Sequence, residues 1–419
     1  MGHTLAEKIF ARTSGRDAVA AGEVVWATAD LVTAPEVAFP AYIKRLRGIG
    51  IDRLALPERV VVAIDHEAPV HSAAGAERNR QTREMAQQLG VAHCFDSEGI
   101  THPLVVERGL VKPGMFVAAA DSHTAVIGGT GAIGIPFGFE TSLILATGQT
   151  WIKVPQTIKV TLNGRLQPGV GARDIALATM SRLRPTEASY RVLEFHGAAV
   201  ADLSVWERMT ICGLCIDIGA KSAVVPADAR CVDFLKSIGV ADATIVASDA
   251  DARFEREIAI DLDTLAPQVS VPPSPIHVRD IDAIAGMPIQ YAYIGSCASG
   301  TMQDLQSAAE LLAGRKVHAD VQLLVIPSTR KVFLAAMANG VLNRLAESGA
   351  HISSPTCGPC FGGIAQLGAG ERRISTSTRN DPGRMGSAQA EIYLASAMTV
   401  AASALAGCIA DPRILAGRR

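Results

Sequence analysis

No run of like charges, no internal repeat and no low-complexity tract interrupts this sequence. With a formal net charge of only −2, a basic nucleic-acid footprint and a charged membrane-surface patch are both excluded. The N-terminus, MGHTLAEKIF, has no apolar core of signal-peptide length, so secretion is not expected. Charged residues are scarce at 19 %, whereas hydrophobic residues reach 48 %, and that much apolar surface offsets the entropy of ordering. Disorder is thereby excluded and a core-rich enzyme is expected. At 419 residues the chain exceeds one ordinary core, which predicts two to four domains.

One stretch, Ile392 to Ala410, carries no charge over 19 residues, close to the roughly 20 that span a bilayer. It reads IYLASAMTVAASALAGCIA, rich in Ala, Ser, Thr and Gly and poor in the large side chains that lipid favours. Small residues permit close packing against protein on all sides, so a buried helix of a soluble protein is expected. The eight cysteines are Cys94, Cys212, Cys215, Cys231, Cys297, Cys357, Cys360 and Cys408. A chain of this size without a signal peptide needs no disulfide framework, which points to a reducing, cytoplasmic setting and leaves metal binding or burial to explain the thiols.

Short apolar runs alternate with helical patterns. VVVAI (60–64) ends at Asp65, MFVAAA (115–120) at Asp121 and IQYAYIG (289–295) at Ser296. Continuous apolar runs of strand length suit strands buried on both faces of a parallel sheet. QTREMAQQLG (81–90) and GTMQDLQSAAELLAG (300–314) read as intervening helices, the second with Gly314 as its C-cap. The alternation predicts an α/β fold. VPPSPIHV (271–278) reads as a linker, and a β-hairpin is expected around Asn163-Gly164. These boundaries divide the chain into spans 1–155, 156–275 and 276–419.

Polar residues gather where the runs end: Asp65-His66, Thr101-His102, and Asp121-Ser122-His123-Thr124. Ligands of parallel α/β sheets bind beyond the carboxyl ends of the strands. A carboxylate beside an imidazole fixes its tautomer and favours the charged form, as acid–base chemistry requires. One such histidine is as readily a loop cap; three at strand ends point to a site.

Two thiol pairs compete for metal. Cys357-Gly-Pro-Cys360 lies in a Gly/Pro turn, whereas Cys212-Gly-Leu-Cys215 lies in the apolar stretch MTICGLCIDIGA. Four cysteines could make a structural zinc site, but zinc pairs usually lie tens of residues apart, and these are more than a hundred apart. Cys212 and Cys215 therefore read as buried small hydrophobes. Cys297, in the strand-end loop IGSCASG, is the better third ligand beside Cys357 and Cys360. Three thiolates would leave one iron of a cluster open to act as a Lewis acid. The motif Gly129-x-Gly131-x-x-Gly134 matches a dinucleotide fingerprint in form only: a short stub precedes it, and the acid expected about 20 residues on is missing.

DHE (65–67), EGITH (98–102), DSHT (121–124), ERMTIC…GA (207–220), IGSC (294–297), TCGPCFGG (356–363) and STSTRNDPGR (375–384) together resemble the aconitase superfamily. Within it the pattern looks closest to the large subunits of the isopropylmalate isomerase and homoaconitase type. The resemblance implies three α/β domains around a [4Fe–4S] cluster held by Cys297, Cys357 and Cys360. It implies a hydro-lyase that dehydrates and rehydrates a hydroxy di- or tricarboxylic acid. Protons would be managed by Asp65–His66, Asp121–His102 and His123 with Asp217; Ser122, Arg379 and Arg384 would contact the substrate. Bidentate guanidinium suits such carboxylates on its own account. The family's serine base lies on a swivelling fourth domain for which a chain ending at Arg419 leaves no room, so a separate small subunit is expected to supply it.

Departures from the pattern stand at Gly213, Asp217, Ala298, Ser299 and Thr378, where the family usually has Asn, Glu, Thr, Asn and Asn. Asp217 is one methylene shorter than the usual partner of His123. These changes leave open a homocitrate-, citrate-, dimethylmalate- or maleate-type substrate, or a cluster- or zinc-binding protein without catalysis. The superfamily's RNA-binding cluster sensor would want a basic cleft, which the acidic balance opposes.

Overall fold

The structure, a computed structural model, describes residues 2–416. By its internal contacts the chain forms two compact units. The first comprises residues 1–97, 101–162 and 185–259; the second comprises 98–100, 163–184 and 260–419. Three main sheets are present, and a two-stranded ribbon makes a fourth.

The first unit is built on a five-stranded parallel sheet in the order His93–Asp96, Val60–Ile64, Leu31–Pro35, Phe116–Ala119, Ile133–Pro136. Every residue of Val60–Ile64 and Phe116–Ala119 is buried, as the continuous apolar runs predict. Because all five strands run the same way, their carboxyl ends share one edge, and the three central strands deliver Glu36, Asp65 and Asp121 there. The expected helix at 81–90 is the second half of Ala73–Gln88, capped by the Ser72 hydroxyl, which accepts from the Gly75 amide. A second sheet orders Ser222–Val224, Val192–His196 and Thr157–Asn163 in parallel, with Arg256–Asp261 at its edge.

The hairpin expected at Asn163-Gly164 does not form. Thr157–Asn163 pairs in parallel with Val192–His196, and the chain after Gly164 runs through Pro168, which offers no amide to a ladder, into the helix Ala172–Arg182.

The Gly129–Gly134 motif serves packing. A Cβ at Gly129 would lie 2.3 Å from the Met209 amide nitrogen, and one at Gly128 only 1.9 Å from the Ala223 carbonyl oxygen. These glycines let the 3-10 turn Thr124–Thr130 press against the helix Val205–Leu214 and the strand Ser222–Val224. Gly129→Ala is expected to cost about 1–3 kcal/mol by overpacking. A fall in the urea midpoint at unchanged m-value would show it; an unchanged midpoint would refute the packing role.

The second unit is built on a seven-stranded mixed sheet in the order Val278–Asp280, Gln268–Ser270, Glu391–Leu394, Arg372–Ser375, Tyr291–Ile294, Gln322–Val325, His351–Ile352. The last five of these are mutually parallel, and Gln268–Ser270 runs antiparallel to both its neighbours. The residues expected to form a linker, 271–278, instead connect the hairpin Gln268–Ser270 and Val278–Asp280 within this unit. Adjacent prolines disfavour regular structure, and a hairpin loop satisfies that as well as a linker does.

The uncharged stretch 392–410 is mainly the strand Glu391–Leu394 followed by the helix Ala397–Ala406. Ser396 caps that helix, and Ala397, Val400, Ala401, Ala402 and Ala404 are buried. A strand and a short helix therefore replace the single helix expected. Among the described residues no helix is long and apolar enough to cross a membrane.

Candidate functional site

On the first unit, the expected histidines and carboxylates form one network of hydrogen bonds and ion pairs. Asp65 follows Val60–Ile64 directly, and its Oδ1 lies 2.7 Å from His66 Nδ1. Its Oδ2 accepts from both the amide and the hydroxyl of Thr101, each at 2.8 Å. Asp121, beyond Phe116–Ala119, holds His102 Nε2 at 3.0 Å through Oδ1, accepts the His123 amide at 2.8 Å, and places Oδ2 3.6 Å from His66 Nε2. Ser122 Oγ lies 3.1 Å from His123 Nδ1. On the other side of the ring, His123 Nε2 meets Asp217 Oδ2 at 3.4 Å, so the shorter side chain does reach its partner, at the long end of a hydrogen bond.

Electrostatics follow from burial and charge. Burial alone would pull the His66 pKa down, yet the charge and hydrogen bond of Asp65, with Glu36 and Asp121, raise it to about 10. Burial pushes Asp121 up, but the hydrogen bond and charge of His102, aided by His66 and His123, hold it well below the usual carboxylate range. The surroundings thus favour the imidazolium of His66 and the carboxylate of Asp121, which holds the His102 ring and the His123 backbone amide.

Glu36 is a member of this network that the sequence reading passes over. It is fully buried, and its carboxylate accepts three backbone N–H groups: Asp65 at 3.2 Å, His66 at 2.8 Å and Glu67 at 2.6 Å. Among the described residues, Glu36, Asp65 and His66 are the group whose potential ligand atoms lie within metal-sharing distance. Their carboxylate oxygens already accept four amides and a hydroxyl and meet an imidazole, so hydrogen bonds within the protein account for the cluster.

Cys212 and Cys215, also on this unit, are completely buried, and burial pushes both thiols up. Cys215 Sγ donates to the Ile211 carbonyl at 3.3 Å, in keeping with packing residues.

The second unit carries the three candidate ligand cysteines, Cys297, Cys357 and Cys360, in loops that follow parallel strands. Cys297 follows Tyr291–Ile294 after Ser296, which is held at φ +95° with its hydroxyl donating to the Thr376 carbonyl at 2.8 Å. A non-glycine residue in that region marks strain held by its surroundings. Cys357 precedes the short helix Gly358–Phe361 that contains Cys360, and Gly362 ends it at φ +81°. All three thiols are at most 8 % exposed. Cys360 Sγ lies 3.7 Å from Thr378 Oγ1, and Arg384 Nε donates to the Cys360 carbonyl at 3.1 Å, so Arg384 braces the thiol turn.

Arg173 is a second residue missed from sequence. It is 3 % exposed, and its guanidinium donates to the carbonyls of Ser377 at 2.8 Å, Thr376 at 2.5 Å and Ala298 at 3.3 Å. One buried cation thereby ties the Cys297 loop to the loop leading to Arg379.

The donor set suits an iron–sulfur group. Three buried thiols sit on turns where backbone can wrap a centre, close to a buried cation. The Tyr293 hydroxyl is buried without a hydrogen-bond partner, and burial, with Cys360, Cys357 and Cys297 as further causes, pushes its pKa well up.

The model of the aconitase family (aconitate hydratase) matches residues 7–407. The chain belongs to the aconitase family. It is 41 % identical over 416 residues to the 3-isopropylmalate dehydratase large subunit 1 of Methanopyrus kandleri, covering 99 % of each chain. The Thermotoga maritima protein of the same name is 41 % identical over 418 residues, again covering 99 % of each. The Moorella thermoacetica large subunit is 39 % identical over 416 residues, covering 98 % of this chain and 99 % of that one. Ser299 Oγ donates to Asp304 Oδ2 at 3.1 Å, and Ala298 offers its carbonyl to Arg173.

Proposed function

We propose that this chain is the large subunit of a hydro-lyase of the 3-isopropylmalate dehydratase type, working in the cytoplasm on a hydroxy di- or tricarboxylic acid. What supports the reading is near-full-length identity to proteins of that name, in a chain that also has a buried histidine–carboxylate network and three buried thiols.

A [4Fe–4S] cluster would be held by Cys297, Cys357 and Cys360 and would supply Lewis-acid chemistry when bound. The chain's own residues do the rest of this half of the reaction. Asp65 fixes His66 through Nδ1, so proton exchange falls to Nε2. Asp121 orients His102 and the amide of His123, and Asp217 holds the far nitrogen of His123. The Ser122 hydroxyl and the Arg379 guanidinium take substrate carboxylate oxygens. Arg384, already engaged with the Cys360 carbonyl, adds positive charge beside the thiol turn. A small subunit supplies the base that removes the carbon-bound proton.

The test is reconstitution. The anaerobically reconstituted chain, mixed with a small subunit, is screened with 3-isopropylmalate, homocitrate, citrate, dimethylmalate and maleate at an ultraviolet wavelength that reports the alkene. Turnover of 3-isopropylmalate that saturates near equimolar subunits is the expected outcome. Turnover of a different acid would keep the chemistry and reassign the substrate; zinc without iron or sulfide would favour a scaffold instead.

A further inference from the structure

Among the buried ionisable groups that the proposed chemistry does not use, Glu36 stands closest to it. It follows the central strand Leu31–Pro35, so it emerges from the same sheet edge as Asp65 and Asp121. Nothing of its side chain reaches solvent. Three N–H groups from three successive residues, Asp65, His66 and Glu67, point at its two oxygens. A carboxylate that accepts three amides fixes the path of the backbone between them, and here that backbone carries His66. Its Oε2 also lies 3.8 Å from His66 Nδ1, on the side where Asp65 Oδ1 already sits at 2.7 Å.

We propose that Glu36 is the positioning residue of His66: its carboxylate pins the 65–67 backbone and adds the second negative charge that keeps the imidazole protonated. The inference deepens the reading above, resting on it only for the use to which His66 puts its proton.

The chemistry of the surroundings bears this out. The groups facing His66 are Asp65 on its own strand end, Glu36 from the neighbouring strand and Asp121 from the strand beyond. Through Asp121 the ring of His102 and the backbone amide of His123 join them. Asp65 alone would hold an imidazole in a buried site, but its second oxygen is committed to the two Thr101 donors. Glu36 supplies charge without competing for Nδ1, since its nearer oxygen stands 3.8 Å from that nitrogen. Burial and the Asp65 charge raise the Glu36 pKa to about 7, while His66 and the amides of Glu67 and Asp65 restrain it. Above that pH the anion is in place.

The loop is pinned elsewhere as well, which separates position from charge. Asn79 Nδ2 donates to the Glu67 carbonyl at 3.0 Å, and Arg78 holds the Glu67 carboxylate at 2.7 Å. Loss of the Glu36 charge alone therefore leaves the loop two anchors.

Selective ¹⁵N-histidine labelling of the full chain reads the charge of each imidazole without any substrate, with the His66 signal assigned by its loss in His66→Gln. In the native chain the His66 signal should remain that of an imidazolium past pH 9. Glu36→Gln keeps the size and one acceptor oxygen but removes the charge; it should lower the His66 midpoint by about one pH unit or more, a tenfold change in proton affinity. Glu36→Asp keeps the charge one methylene further back and should give a midpoint between the two. An unmoved midpoint in Glu36→Gln overturns the proposal. If that variant does not fold, an unmoved midpoint in Glu36→Asp does so instead. In the assembled enzyme, with 3-isopropylmalate as probe, Glu36→Gln should lower kcat and leave KM nearly constant. Absence of turnover in the native enzyme would count against the functional reading alone, since the imidazole titration stands without it.

Discussion

Replacing Cys297, Cys357 or Cys360 singly with serine is expected to abolish the brown colour and the bound iron and sulfide that anaerobic reconstitution gives the native chain. Each thiol occupies a turn whose shape is fixed by contacts of its own. Ser296 is held at positive φ against the Thr376 carbonyl, the Thr356 hydroxyl accepts the Gly358 amide, and Arg384 holds the Cys360 carbonyl. Serine preserves these turns, so the loss would report ligation and not misfolding. The same change at Cys212 or Cys215 should leave the iron content intact, because those thiols are packed in apolar surroundings and resist deprotonation. Iron and sulfide analysis together with the visible spectrum decides the matter. Iron loss on Cys212→Ser with retention on Cys297→Ser would reverse the ligand assignment. Arg173 gives a graded companion to this test: without its guanidinium the carbonyls of Ala298, Thr376 and Ser377 lose their donor, and the Cys297 loop loses its tie.

The parts of this molecule that could be read from its sequence are those that local chemistry decides. VVVAI and the apolar residues before Asp121 had no alternative to burial on both faces, and the polar residues that end them had to emerge at one sheet edge. Glu36 carries the same signal, an acid directly after an apolar run. Its run, LVTAP, is broken by a threonine and ends in proline, which weakens the continuous apolar signal that marks VVVAI. Arg173 was hidden for a different reason. A charge in a helix ordinarily means a solvated face, and only carbonyls more than a hundred residues away in sequence bury this one. The linker at 271–278 and the hairpin at Asn163-Gly164 were misread because proline and Asn-Gly specify a turn without specifying what it connects. That residues 98–100 and 163–184 belong to the second unit has no local signature, since it depends on contacts with residues far away in sequence.

Removing an imidazole from the network tests whether its geometry is used. In the assembled enzyme, His66→Ala and His123→Ala are each expected to reduce turnover by about 10² or more, the scale of a positioned proton donor or acceptor. The two substitutions act on opposite flanks of Asp121. His66 lies between Asp65 and Asp121, with both ring nitrogens facing carboxylates. His123 takes its orientation from Asp121 through the backbone amide and from Asp217 through Nε2, while Ser122 engages Nδ1. Loss of either ring leaves the Asp121 contact with His102 in place. Substrate affinity should therefore change less than kcat, since carboxylate binding is assigned to Ser122 and Arg379. A merely structural role would show differently: the melting temperature would fall and kcat per folded enzyme would hold. Near-normal kcat in both variants would remove the two histidines from the mechanism, and a selective rise in KM for His123→Ala would move it, with Ser122, to the substrate contacts.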